Sequence, residues 1–213
     1  MRKLNRHGGS PAGLARYRHG QDKWGKGTPT EEHRSEIWEK LDAMQGKRCA
    51  YCEEAIARPD CHIEHFRQRN RYPQGTFEWD NLFGSCNRNG TCGNRKDSCG
   101  DYPPEILIKP DVDDPEEFLV FTPNGSVQPR ANLSQEARNR AEQTIRILGL
   151  EGALTQIRKA HTSGYLQTVQ DIAELAKEWP EEDWLPILQE EVRRTAHLPF
   201  ATAIKHVLTS QSD

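Results

Sequence analysis

The sequence predicts an α+β protein in which a small cysteine-stapled module lies between an N-terminal helix and a helical C-terminal region. Three observations carry this. Residues 47–100 are crowded with Cys, Gly, Asn and Arg and hold no long apolar run, so something other than a core must hold them. Apolar residues recur at helical spacing before that stretch and again after residue 134. Short runs of strand-forming residues lie between, at 105–109 and 117–127. At 213 residues the chain is one large domain or two small ones, and 34% hydrophobic against 29% charged residues leaves room for only a modest core.

Taken in order, residues 1–27 carry Arg2, Lys3, Arg6, Arg16, Arg18, Lys23 and Lys26 against Asp22, show little periodicity, and read as an extended basic arm. From residue 101 onward acids outnumber bases. A basic front and an acidic rear suit a polyanion at one end and a protein partner at the other. Residues 28–46 read as a helix packing on the core. Thr28 is its cap, Pro29 its first residue, Glu31 completes a capping box, Ile37, Leu41 and Met44 share a face, and Gly46 is the stop.

Residues 47–110 form the stapled core, with "EILIK" at 105–109 as a strand. Residues 111–213 are mainly helical and suited to docking a partner. They open with a hairpin, "EFLVF" at 117–121 turning at Asn124-Gly125 into Val127. Ser134 caps a helix with Ala137, Ala141, Ile145 and Leu148 on one face, and Gly149 ends it. Helical spacing continues from Leu154 to Trp179, stops at Pro180, resumes through Trp184, Ile187, Leu188 and Val192, and opens once more at Pro199. No apolar run is long enough to cross a bilayer, and the first residues lack a signal-peptide core. A cytoplasmic protein is expected, with its six cysteines as metal ligands or thiols rather than disulfides.

The staple is legible in the spacing. Cys49-Ala50-Tyr51-Cys52 is a C-x-x-C pair, and Cys86 and Cys92 follow as a second pair with five residues between them. Zinc takes four thiolates in a tetrahedron, and two short turns offering two each provide them. Bound zinc would supply folding energy that this segment lacks. Cys99 could replace a member of the second pair, and Cys61 is unassigned.

Between and just after these pairs lie "IEHF" at 63–66, "WDNL" at 79–82 and "CGNRK" at 92–96. Cysteine pair, acid-His pair, Asp-Asn-Leu, and a second pair running into Asn-Arg-Lys resemble the HNH nucleases over about residues 47–100. The layout with a basic arm and helical tail is similar to the HNH protein, PtuB, of Septu-type anti-phage defence. The resemblance implies a ββα-metal core and metal-dependent endonuclease activity on a phosphodiester, in DNA, as the effector of a defence system. It implies an ATPase partner of the PtuA kind and, in retron-linked members, a reverse transcriptase with its RNA and DNA.

The resemblance further implies His65 as general base, Glu64 and Asn94 as ligands of a catalytic Mg²⁺ or Mn²⁺, and Asn81 as the residue orienting His65. Arg67, Arg69, Arg95 and Lys96 would hold the nucleic-acid backbone. Two departures stand out. Glu64 takes the place of the family's Asp, and Gly93 follows Cys92 where many members have His. His62 reads as a loop residue or as a ligand in place of Asn94, with Asp97 a further alternative. RNA or tRNA is the alternative substrate, and a non-catalytic zinc adaptor for nucleic acid or the ATPase is the alternative class. Glu64 and His65 are neighbours, so on a regular strand they point to opposite faces.

Overall fold

A computed structural model describes residues 1–210. Helix α1, Glu31–Gln45, is capped by Thr30, whose Oγ1 accepts the His33 N–H at 3.4 Å. The cap expected at Thr28 thus falls two residues later. Thr28 precedes a proline, which disfavours helical backbone, and its N–H and C=O are already engaged by Gly25. Glu31 and Glu32 still complement the helix dipole in the first turn. Gly46, at φ 63°, closes the helix as the spacing predicts.

Residues 1–27 are not a free arm. Met1 and Leu4 are buried in the central core beside Tyr51 and Phe83, and Leu14, in the 3-10 turn Ala12–Arg16, is buried beneath α1. Arg6 explains part of the basic charge. Its guanidinium pairs with Asp111 at 2.6 Å, donates to the carbonyls of Trp79 and Leu82, and lies over the rings of Trp79 and Phe83. That arginine serves the fold, whereas Arg16, Arg18, Lys23 and Lys26 remain exposed.

Strands β1, Cys61–His65, and β2, Leu82–Cys86, pair antiparallel with Cys61 opposite Cys86 and His65 opposite Leu82. Helix α2, Cys92–Asp97, follows and packs on β2. Helix α1 lies against the strands through Ile37, Trp38 and Leu41, which meet Ile63 and Leu82. Gly84 permits this approach, because a Cβ there would sit 2.9 Å from Trp38 Cζ3. Gln45 completes the joint. Its Nε2 donates to the Gly84 carbonyl at 2.9 Å and its Oε1 accepts the Gly84 N–H at 2.7 Å.

The Sγ atoms of Cys49, Cys52, Cys86 and Cys92 all lie within 4.8 Å of one another, and all four residues are buried. Cys52 Sγ and Cys86 Sγ are 3.9 Å apart, close to the edge of a tetrahedron built on zinc–sulfur bonds of about 2.3 Å. The four thiols can hold a structural metal ion such as zinc. The irregular second pair closes because Gly90 and Cys92 adopt positive φ. Cys61 and Cys99 lie outside the cluster; Cys99 Sγ faces the Ile147 carbonyl at 3.6 Å. Arg88 and Glu54 pair across the two cysteine turns.

The strand expected at 105–109 does not form. Pro104–Ile106 is a 3-10 turn, and the segment finds partners on helix α3, Gln135–Ile147. Thr144 Oγ1 accepts the Ile108 N–H at 2.9 Å, and Arg140 donates to the Leu107 carbonyl at 3.0 Å. With its backbone so engaged, a strand partner is not required. The hairpin forms as expected, β3, Leu119–Phe121, pairing with β4, Val127–Pro129. Ser134 caps α3 by accepting the Ala137 N–H at 3.2 Å.

The spacing from Leu154 to Trp179 resolves into α4, Ala153–Thr162, a 3-10 turn at Ser163–Tyr165, and α5, Leu166–Glu178. Gly164, a poor helix former, marks the break. Helices α6, Glu181–Thr195, and α7, Ala201–Thr209, are the last among the described residues. Leu148, Leu150, Leu154, Phe200 and Ala203 share one core with Tyr51 and the cysteine turns, while α5, α6 and α7 bury a smaller cluster of their own. Trp179 and Ile187 stay 47% and 44% exposed. No helix among the described residues is long and apolar enough to cross a membrane.

Glu53 joins the two ends of the fold to the cysteine turn. Its Oε1 lies 2.7 Å from the Met1 α-amino group, its Oε2 accepts the Thr202 N–H, and its carbonyl accepts the Phe200 N–H. Burial alone would raise its carboxyl, but the Met1 ammonium and the Thr202 N–H together outweigh it and the net shift is downward. Replacing Glu53 by Ala strands a buried positive charge, so a loss of about 3–5 kcal/mol is expected from urea unfolding. For the metal, we expect about one zinc per chain by elemental analysis. Cys52→Ser should lose it together with cooperative unfolding, and Cys99→Ser should keep both.

Candidate active site

The alternation of β1 decides what faces what. His62 and Glu64 share one face of the strand, and His65 points to the other. On the first face Glu64 is 2% exposed and lies under α2. Its Oε1 is 2.8 Å from the Lys96 ammonium, in an ion pair without hydrogen-bond geometry, and its Oε2 is 3.3 Å from His62 Nε2. Lys96 Nζ also meets Asp97 Oδ1 at 2.7 Å. Burial would lower the lysine's proton affinity, but Glu64 and Asp97 more than reverse it, so Lys96 is held charged.

Lys96 is therefore not a solvent-facing phosphate contact. It is 0% exposed and spends its charge on two carboxylates. In α2 the face above Glu64 is formed by Gly93, Lys96 and Asp97, and Asn94, one residue and about 100° round from Gly93, is exposed. Arg95 is exposed, its side chain lying beside Gly149.

On the other face His65 is buried at the last position of β1, its ring 4.5 Å edge-on from that of Trp24. Its Nε2 lies 3.0 Å from the Thr76 carbonyl. A carbonyl only accepts, so Nε2 carries the proton and Nδ1 the lone pair. Burial first, then the charge of Arg69, pushes the imidazole down to about 3, against the upward pull of the Thr76 bond. His65 is neutral at neutral pH. The charges of Lys96 and Asp97 act on it too, so His65 and Glu64 share α2 as a neighbour although their side chains leave β1 on opposite faces.

Asn81 makes no hydrogen bond to the imidazole. It is fully buried and bonds the loop between the strands, Oδ1 accepting the Arg67 N–H at 2.7 Å and Nδ2 donating to the Gly75 carbonyl at 2.9 Å. That loop carries Thr76, so Asn81 acts on His65 through the backbone, and the orienting atom is the Thr76 carbonyl. Arg67 pairs with Glu78 and Asp80, at 2.5 and 3.2 Å. Arg69 is exposed and donates to the Trp24 carbonyl. Trp24 and Thr76 had no signal in the sequence. His62 had one, since it lies two residues from Glu64 on a strand.

These groups offer chemistry of two kinds. Glu64 and the face it shares with His62 present hard oxygen and imidazole donors that suit a divalent ion such as Mg²⁺ or Mn²⁺. Glu64 Oε2, 3.3 Å from His62 Nε2, and the partly exposed His62 fit that assignment. His65 presents a neutral base of fixed tautomer.

No protein-family model matches the chain. Among curated proteins, it is 24% identical over 131 residues to a protein of Vibrio cholerae serotype O1 biovar El Tor named "Retron Vc95 putative HNH endonuclease". That match covers 58% of this chain and 61% of the relative. It is 32% identical over 78 residues to the Septu protein PtuB of Bacillus thuringiensis, covering 36% of this chain and 29% of PtuB. The chain thus spans less than two thirds of the length of either relative.

Proposed function

We propose that the protein is a metal-dependent HNH endonuclease that hydrolyses phosphodiester bonds in DNA and serves as the effector of an anti-phage defence system. The observation that carries this reading is His65. A buried, neutral imidazole, with Nε2–H held by the Thr76 carbonyl and Nδ1 left basic, ends the strand that also bears Glu64. In this reading residues 47–110 are the nuclease module. His65 takes a proton from water at Nδ1, and Asn81 keeps the loop that fixes its tautomer. Glu64 offers Oε2 to the divalent ion while Lys96 holds Oε1 in place. A bound Mg²⁺ or Mn²⁺ supplies charge neutralisation at the phosphate and the leaving oxygen. Arg69 and Arg95, both exposed, meet the backbone of the nucleic acid.

The helical region from 111 to 213 docks the partner ATPase, a reading supported by the exposed Trp179 and Ile187. A retron reverse transcriptase with its nucleic acid is a second candidate partner, supported by the name of the Vibrio relative.

His65→Ala should abolish cleavage of supercoiled plasmid with Mn²⁺, measured with and without the ATPase, while zinc content stays at the wild-type level. Full activity in that variant would remove His65 from the mechanism. Cleavage of RNA alone would move the substrate, and no cleavage of either by folded, zinc-loaded wild type would favour an adaptor.

The buried neutral ring also has a consequence for stability. Its value of about 3 in the folded protein lies below the ordinary value of about 6.5 expected in the unfolded chain. As pH falls through that window the unfolded state takes the proton first, so stability drops. His65→Gln should lose less stability than wild type over that window, read as the difference between their urea midpoints at each pH.

A further inference from the structure

The two side chains that meet on the inner face of β1 are His62 and Glu64. Asn87 settles the tautomer of His62. Its Nδ2 donates to the Pro59 carbonyl at 3.2 Å, which leaves Oδ1 facing His62 Nδ1 at 2.7 Å. Amide oxygens only accept, so Nδ1 carries a proton and donates it. In the neutral ring the Nε2 lone pair then faces Glu64 Oε2 across 3.3 Å. Two electron-pair donors at that distance attract only with a positive charge between them, a proton when no metal ion is bound.

Helix α2 leaves this space open. A Cβ on Gly93 would lie 2.5 Å from Glu64 Oε2 and 2.8 Å from His62 Nε2, so no larger residue at 93 could share it with both. Asn94 is exposed and lies about 100° round the helix from Gly93. Lys96 already occupies the other oxygen of Glu64. The His62 side chain keeps 30% of its surface, so the pair opens to solvent at the imidazole.

We propose that His62 and Glu64, not Asn94 and Glu64, are the protein ligands of the catalytic divalent ion. His62 Nε2 and Glu64 Oε2 supply one bond each, and Asn87 orients the imidazole from behind, as an outer partner does for a metal-bound histidine. The strand thus provides from position 62 what the helix, with glycine at 93, does not. The assignment rests on the metal-dependent nuclease reading above.

The test is Mn²⁺ binding to zinc-loaded protein, followed by the paramagnetic resonance signal of free Mn²⁺. His62→Ala should weaken binding by at least about tenfold, the scale that even an outer-shell partner carries. Asn94→Ala should leave it near wild type. Pulsed resonance on bound Mn²⁺ should show imidazole nitrogen coupling in wild type and none in His62→Ala. His62→Gln, which keeps bulk and polarity, replaces His62→Ala if the latter loses its zinc or its cooperative unfolding. Undiminished binding in the His62 variants, or weakened binding in Asn94→Ala, overturns this assignment and leaves the nuclease reading intact. Wild type that neither binds Mn²⁺ nor cuts plasmid overturns the nuclease reading, and this assignment with it.

Discussion

Convergence of four buried thiols on one point is the constraint from which the rest of the arrangement follows. The stretch between residues 47 and 100 has too few apolar side chains to define a position for its own loops. Cys49, Cys52, Cys86 and Cys92 bring a turn, the end of β2 and the start of α2 to within bonding distance of a common centre. Once these three are joined, α2 has to lie over the hairpin, and Glu64 has to lie beneath it. Arg88 with Glu54, and Glu53 with Met1 and Thr202, tie the same cysteine turns to their surroundings.

This staple shares its core with the flanking segments. Met1 and Leu4 from the chain start, and Leu148, Leu154 and Phe200 from the helical region, pack with Tyr51 and Phe83 around the cysteine turns. The helical region is thus continuous with the module at α3, α4 and the start of α7. It becomes separate only at α5, α6 and most of α7, which bury their own small cluster. The exposed tryptophan and isoleucine lie on that outer part, away from the residues that fix the candidate site. A protein bound there would sit on the portion of the fold least tied to the cysteine module.

Two titratable networks sit on opposite faces of one five-residue strand, and their environments drive them apart. His65 is surrounded by an aromatic ring, a carbonyl and positive charge, and loses its proton. On the other face burial opposes charge on His62, but its contacts with Glu64 and Asn87 outweigh that and favour the protonated ring. Opposite protonation preferences three residues apart follow from the two-residue repeat of a strand, which sends alternate side chains into different surroundings.

By itself the sequence determined what depends on near neighbours. The glycine stop of α1, the serine cap of α3, the Asn-Gly hairpin turn and the paired cysteines could be read because a cap, a turn or a chelating loop is decided within a few residues. The candidate site was legible as a set, the His65, Glu64 and Asn81 region between cysteine pairs, but not as an arrangement. Whether Lys96 faces solvent or Glu64, whether Asn94 or His62 meets that carboxylate, and whether Asn81 touches His65 or its loop were decided only by tertiary structure. So were the missing strand at 105–109, whose backbone partners lie on α3, and the burial of the N-terminal segment. The reason is common to all of them. A side chain's partner is set by which surface docks against it, and those surfaces come from residues tens of positions away.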